Sequence, residues 1–192
     1  RGSDHGYDVT DPTRVDAARG GPAALERFSE AAREAGLGIL ADIVPNHMGI
    51  SKPQENPWWW DVLTHGRASV HAEAFDIDWA FGDGKVRVPV LGAPLGGVIG
   101  DIRVDPTPTP ESATGLVRYF EHILPLAPGS VHETDDLTTA EGVRAVLERQ
   151  NWQLRFWQDE AAELNYRRFF AVTTLAAVRV ERPEVFDAAH AE

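Results

Sequence analysis

The sequence predicts an α/β fold, a β-α-β unit of a parallel sheet whose second strand is followed by a large insertion. Three observations predict it. An almost unbroken apolar run, Gly36-Leu37-Gly38-Ile39-Leu40-Ala41-Asp42-Ile43-Val44-Pro45, lies between glycine and proline and has the composition of a strand buried on both faces. Just before it, Leu25, Phe28, Ala32 and Ala35 recur at helical spacing, the stripe of an amphipathic helix. From residue 48 to about 135 the next helix does not arrive, and short extended pieces punctuated by Gly and Pro fill the space, too long a stretch for an ordinary crossover.

In chain order, Tyr7 to Val9 is a short extended piece closed by the turn residues Thr10-Asp11-Pro12. Gly20-Gly21-Pro22 opens the helix, with Pro22 suited to a first-turn position, and Gly36 supplies its left-handed stop. Pro45 ends the buried strand because it cannot donate to a ladder, which puts Asn46 and His47 at its carboxyl end, where parallel α/β folds place chemistry. Asp42 shares a face with Leu40 and Val44, so its charge needs a partner there. Trp58, Trp59 and Trp60 are expected in the core of the insertion rather than as a ligand platform. Asp76 and Asp78 are expected as turn or edge residues, and Asp105 to Pro110 as a semi-rigid exposed loop. Thr138 and Glu141 form a capping box, after which Val143, Leu147, Gln150, Leu154, Trp157, Ala161 and Leu164 trace a helical stripe. Pro183 starts a last helix. The expected division is 1–47, 48–137 and 138–192.

The 192 residues suffice for one sizeable core, and no apolar run is long enough to span a membrane. A net charge of −12 argues against docking on a phosphate backbone or an anionic membrane, so a neutral ligand is the easier partner. With no cysteine there is no disulfide or thiolate metal site, which fits a cytoplasmic setting. The polar start, with no secretory leader, is read as a chain that begins mid-fold. Six tryptophans in so acidic a chain suit stacking on sugar rings as well as core packing.

Two stretches, His5-Gly6-Tyr7-Asp8-Val9-Thr10-Asp11-Pro12 and Asp42-Ile43-Val44-Pro45-Asn46-His47, resemble the ends of the second and third barrel strands of the α-amylase superfamily. Four further blocks are narrower in what they match: Asn56-Pro57-Trp58-Trp59-Trp60-Asp61-Val62-Leu63, Phe75-Asp76-Ile77-Asp78-Trp79, Pro125-Leu126-Ala127-Pro128-Gly129-Ser130 and Leu164-Asn165-Tyr166-Arg167-Arg168-Phe169-Phe170. Together they resemble the maltooligosyl trehalose synthase family, within glycoside hydrolase family 13.

The resemblance implies a partial (β/α)8 TIM barrel, from the end of strand 2 to about helix 3, with a large subdomain inserted after strand 3. It implies an intramolecular transglucosylation that turns the reducing-end α-1,4 bond of a maltooligosaccharide into an α,α-1,1 bond, with no cofactor and no metal. Tyr7 would stack on the sugar in the cleaved subsite and His47 would bond its hydroxyls in the transition state. Asn46 and Asp42 would orient His47, Asp4 would reach the 4-hydroxyl, and Tyr166, Arg167 and Arg168 would meet substrate. Ala171 stands where the family pattern has Asp, which weakens that role for the two arginines; the alternative is ion pairs that brace the insertion. No residue matches the family's nucleophile or acid/base, so the chain alone is expected to be inactive and to need the remainder of the barrel as partner. The rival readings are another α-amylase-superfamily hydrolase or glucanotransferase, and a non-catalytic glucan-binding piece.

Overall fold

Glycine and proline start the first helix as expected. In a computed structural model, which describes residues 5–190, Gly20 has φ 102° and helix α1 runs Gly21–Glu34 with Pro22 in its first turn. Gly36, at φ 73°, closes it. Its expected buried stripe is not buried: Leu25 and Phe28 are exposed, and of the helix only Gly21 is covered.

The expected strand after it is likewise not a strand. Residues 37–45 form no ladder and lie open, Leu40 at 98% exposure and Leu37 at 66%. A strand exists only if a neighbour pairs its N–H and C=O groups, and among the described residues none comes alongside. The strand of this region, β1, is instead His47–Gly49, beginning where the other was to have ended, and it pairs antiparallel with β7, Leu175–Ala177.

The rest of the chain packs. Asn56 caps α2, Pro57–His65, by accepting the Trp59 N–H, and this seats Trp58 and Trp59 in the core. Trp58 stacks on His71, and Trp59 meets Phe75 and Tyr166 edge-on. β2 (Val86–Leu91) leads to the short α3 (Leu95–Val98) and then to an antiparallel meander of β3 (Ile102–Asp105), β4 (Leu116–Tyr119) and β5 (His122–Pro125). The loop between β3 and β4 is largely exposed, as expected. α4 spans Ala140–Glu148, capped by Thr139 rather than Thr138, because Thr138 is held by the Asp136 carboxylate at 2.6 Å.

The helical stripe does not continue past α4. Trp152–Phe156 is a strand, β6, paired parallel with β2. Apolar residues four apart satisfy both the helical and the strand period, while Trp152, Leu154 and Phe156 alternating with Gln153 and Arg155 satisfy only the latter. After β6 come a 3-10 turn at Trp157–Asp159, α5 (Glu160–Glu163), β7 and α6 (Pro183–Ala189), the last with proline in its first turn. Among the described residues the sheets have two or three strands and no barrel closes. The β2–β6 ladder crosses the expected 137/138 division. Among the described residues no helix is long and apolar enough to cross a membrane.

Two buried amides tie these pieces together. Gln150, 2% exposed, accepts from the Ala127 N–H at 2.8 Å and donates to the Val146 carbonyl at 2.7 Å. Asn165, 3% exposed, donates to the carbonyls of Asp78 (3.0 Å) and Lys85 (2.8 Å) and accepts from the Arg87 N–H (2.9 Å). Asn165→Ala removes three such bonds at about 1 kcal/mol each, so stability should fall by roughly 3 kcal/mol. A drop in the urea midpoint at unchanged slope checks this.

Candidate functional site

The candidate site is built where three distant segments meet at His47. β1 fixes the residue at its first position, with His47 opposite Ala177. The Tyr7–Val9 segment runs against the other side, its Val9 carbonyl accepting from the Gly49 N–H at 2.8 Å. Only a glycine permits that approach, since a Cβ on Gly49 would sit 2.8 Å from the Asp8 carbonyl oxygen. The turn after Arg168 supplies the third segment.

The imidazole of His47 is 3% exposed and fully engaged. Nδ1 lies 2.8 Å from Asn46 Oδ1, and Nε2 lies 2.8 Å from the Tyr7 carbonyl. A carbonyl only accepts, so with Nε2 donating to Tyr7 a neutral ring leaves Nδ1 as an acceptor, which the Asn46 amide satisfies through its N–H group once its O and N are exchanged. The Phe169 ring stacks on the imidazole at 4.0 Å, and Phe170 stands edge-on to Phe169 at 4.5 Å. Phe169 was not among the expected site residues. Only the aromatic pair in the Arg-Arg-Phe-Phe block hinted at it, for nothing local links residue 169 to residue 47.

The other expected residues disperse. Tyr7 is 54% exposed and stacks on His5 at 5.7 Å, leaving most of its ring open. Asn46 is exposed apart from its bond to His47. Asp42 is exposed too, with no hydrogen bond or ion pair among the described residues, so the partner expected for a buried charge is not needed. Asp4 lies outside the described residues. Arg167 pairs with Asp76 at 2.8 Å yet keeps a largely exposed side chain, whereas Arg168 is mostly buried and paired with Glu160. Asp78 accepts the Phe81 N–H, the turn role expected of it. Tyr166 is buried 5.0 Å from Trp59, and burial pushes its hydroxyl pKa up.

Two depressions border this arrangement. A groove of about 610 Å³ runs along residues 6–19 and 54–57 and includes Asp8, Asp11 and Arg14. Burial raises the pKa of Asp11, but bonds from Thr13 and the Arg14 guanidinium, 2.5 Å away, outweigh it and hold the carboxyl below its usual range. A smaller cleft of about 270 Å³ contains Tyr166. No group of three or more His, Asp or Glu among the described residues is arranged to hold a metal ion.

Residues 1–87 match the family model for the catalytic domain of alpha amylase. The whole chain is 46% identical over 191 residues to a protein of Mycobacterium tuberculosis named as a putative maltooligosyl trehalose synthase. It superimposes on a mutant maltooligosyltrehalose synthase from Arthrobacter ramosus with a TM-score of 0.83, at 49% identity over 99% of this chain and 23% of that one. A malto-oligosyltrehalose trehalohydrolase of Rhizobium sp. is 39% identical over 88 residues, 45% of this chain and 14% of that protein. The chain spans about 22% of the length of the Mycobacterium relative.

Gly49→Ala should push the Tyr7–Thr10 segment off β1. The expected result is loss of protection of the residue 49 amide in hydrogen exchange and a destabilisation of about 1–3 kcal/mol.

Proposed function

We propose that this chain is a segment of a maltooligosyl trehalose synthase, an α-amylase-superfamily enzyme that rearranges the reducing-end α-1,4 bond of a maltooligosaccharide to an α,α-1,1 bond. The observation that carries this is likeness along the entire chain, at 46% and 49% identity, to proteins that bear that name. The proposed reaction is a retaining double displacement in which a carboxylate displaces the oligosaccharide's reducing-end glucose, a second residue protonates the departing oxygen, and the same glucose returns through its 1-hydroxyl. The nucleophile and the acid/base belong to parts of the enzyme beyond these 192 residues.

The same view accounts for the open surfaces. Residues 37–45 and the stripe of α1 are apolar and uncovered, as expected of strand 3 and helix 2 of a (β/α)8 barrel whose neighbouring strands lie elsewhere in the enzyme. Residues 48–137 would then be the subdomain inserted after strand 3.

Within the chain, Tyr7 offers its exposed ring to the sugar in the cleaved subsite, and His47 donates to a sugar hydroxyl. Nε2 now donates to the Tyr7 carbonyl, so a bound hydroxyl takes that acceptor's place. Asn46 holds the ring by Nδ1, Asp42 supports the strand end, and Asp4 is the candidate for the 4-hydroxyl. Arg167 keeps N–H groups free beyond its pair with Asp76, whereas Arg168 serves as a brace. Contacts of this kind accelerate the reaction only as far as they strengthen in the transition state. The ligand is neutral, the chain carries −12, and the reading has no place for nucleic acid or membrane; the enzyme acts in the cytoplasm.

One observation favours a second reading, a hydrolase of the same superfamily: the 39% identity over 88 residues to a trehalohydrolase. Maltopentaose separates the two. With the complete enzyme, reducing ends should disappear with little free glucose, and a net gain of reducing ends would instead support the hydrolase. The 192 residues alone should give no turnover, and measurable conversion by them overturns the placement of nucleophile and acid/base outside the chain.

A further inference from the structure

The cleft of about 270 Å³ lies between β2, β5 and the turn at Thr173–Thr174. Its walls include Trp59, His122, Trp157, Tyr166, Thr173 and Thr174, and among the described residues no Asp, Glu, Lys or Arg lines it. In a chain of net charge −12, an uncharged hollow suits an uncharged ligand.

Two features mark it as built to receive one. Tyr166 is 8% exposed, and its hydroxyl oxygen is bonded to no other described residue while keeping contact with solvent. Tyr166 lines the cleft, and a phenol hydroxyl can donate as well as accept. Trp157 is the one exposed tryptophan among the described residues, at 54%. The backbone puts it there: the β2–β6 register shifts between Pro89 and Leu91, β6 ends at Phe156, and the 3-10 turn of Trp157–Asp159 follows at once. Irregular ladders of this kind re-aim side chains beside sites, and Phe156 backs the indole edge-on at 6.3 Å.

We infer that this cleft is a subsite for an α-glucan chain, with Trp157 as the stacking face and the hydroxyls of Tyr166, Thr173 and Thr174 bonding to sugar hydroxyls. It lies beyond His47 along β1, for the Ile50 N–H that follows β1 donates to the Thr174 carbonyl at 2.8 Å in the cleft wall. A glucan held at His47 therefore has a second place to rest. The identity of the sugar rests on the function proposed above; the aromatic face, the free hydroxyl and the lack of charge do not.

Calorimetry on the complete enzyme with maltoheptaose tests it. Trp157→Ala should raise the Kd roughly tenfold and Tyr166→Phe a few-fold, with Tm unchanged; Trp157→Phe should keep part of the affinity. Should Trp157→Ala lose stability, the affinities of Trp157→Phe and Tyr166→Phe decide in its place. A Kd unchanged in these variants overturns the subsite even where the enzyme still consumes reducing ends. Weakened binding in an enzyme that does not consume them leaves the subsite standing and overturns the proposed reaction.

Discussion

The described structure depends on the buried amide of Asn165. Residues 78–87 form a turn-rich segment that runs into the first residues of β2, and turn bonds such as Gly84 N–H to the Trp79 carbonyl satisfy only part of its polar backbone groups. Asn165 serves three of them with its side chain, and its own carbonyl accepts the Asp78 N–H at 2.6 Å. Where these groups meet the buried Asn165, leaving them unpaired would cost more than a hydrogen bond gains. Gly82 shows how closely the two fit, since a Cβ there would lie 2.2 Å from the Asn165 amide nitrogen.

From this clamp the neighbouring interactions follow. Fixing residue 165 fixes Tyr166 against Trp59, and it lets the next two residues reach Asp76 and Glu160. Two residues before the clamp, Glu163 draws in Arg87 from β2 at 2.7 Å and Arg155 from β6 at 3.3 Å, joining the two parallel strands through one carboxylate. Beyond it, the chain turns back as β7 and delivers Phe169 to His47. The aromatic contact at the candidate site and the amide clamp in the core are thus consecutive consequences of one stretch, Leu164 to Phe170.

Sequence reasoning found what is written locally. The proline and glycine signals gave the limits of α1 and the start of α6, and the Trp58 and Trp59 burial followed from their composition. It failed where the outcome depends on a distant neighbour. The run from Leu37 to Val44 has the composition of a buried strand, but pairing is a property of two segments, and no described residue supplies the second. His47 was singled out from its motif, yet Phe169 and the Tyr7 carbonyl touch it through backbone pairing that no spacing encodes. The mistaken helix over Trp152 to Phe156 arose differently, from a spacing of four common to both periods; the alternation with Gln153 and Arg155 was the better guide. For Tyr7, Asn46 and Asp42 the motif expects a strand end, whereas the structure leaves all three exposed and outside any ladder.

The pairing of β1 with β7 also bears on how the protein is made. His47 and Ala177 face each other from opposite ends of the chain, so a ribosome adding roughly 5–20 residues per second exposes the imidazole for several seconds before its partner strand leaves the exit tunnel. During that interval the Trp-rich helix, the meander and the parallel pair have all the residues they need to form. The edge that holds the histidine is therefore seated late, and the nascent chain carries a packed body with that edge unfinished until residue 177 arrives.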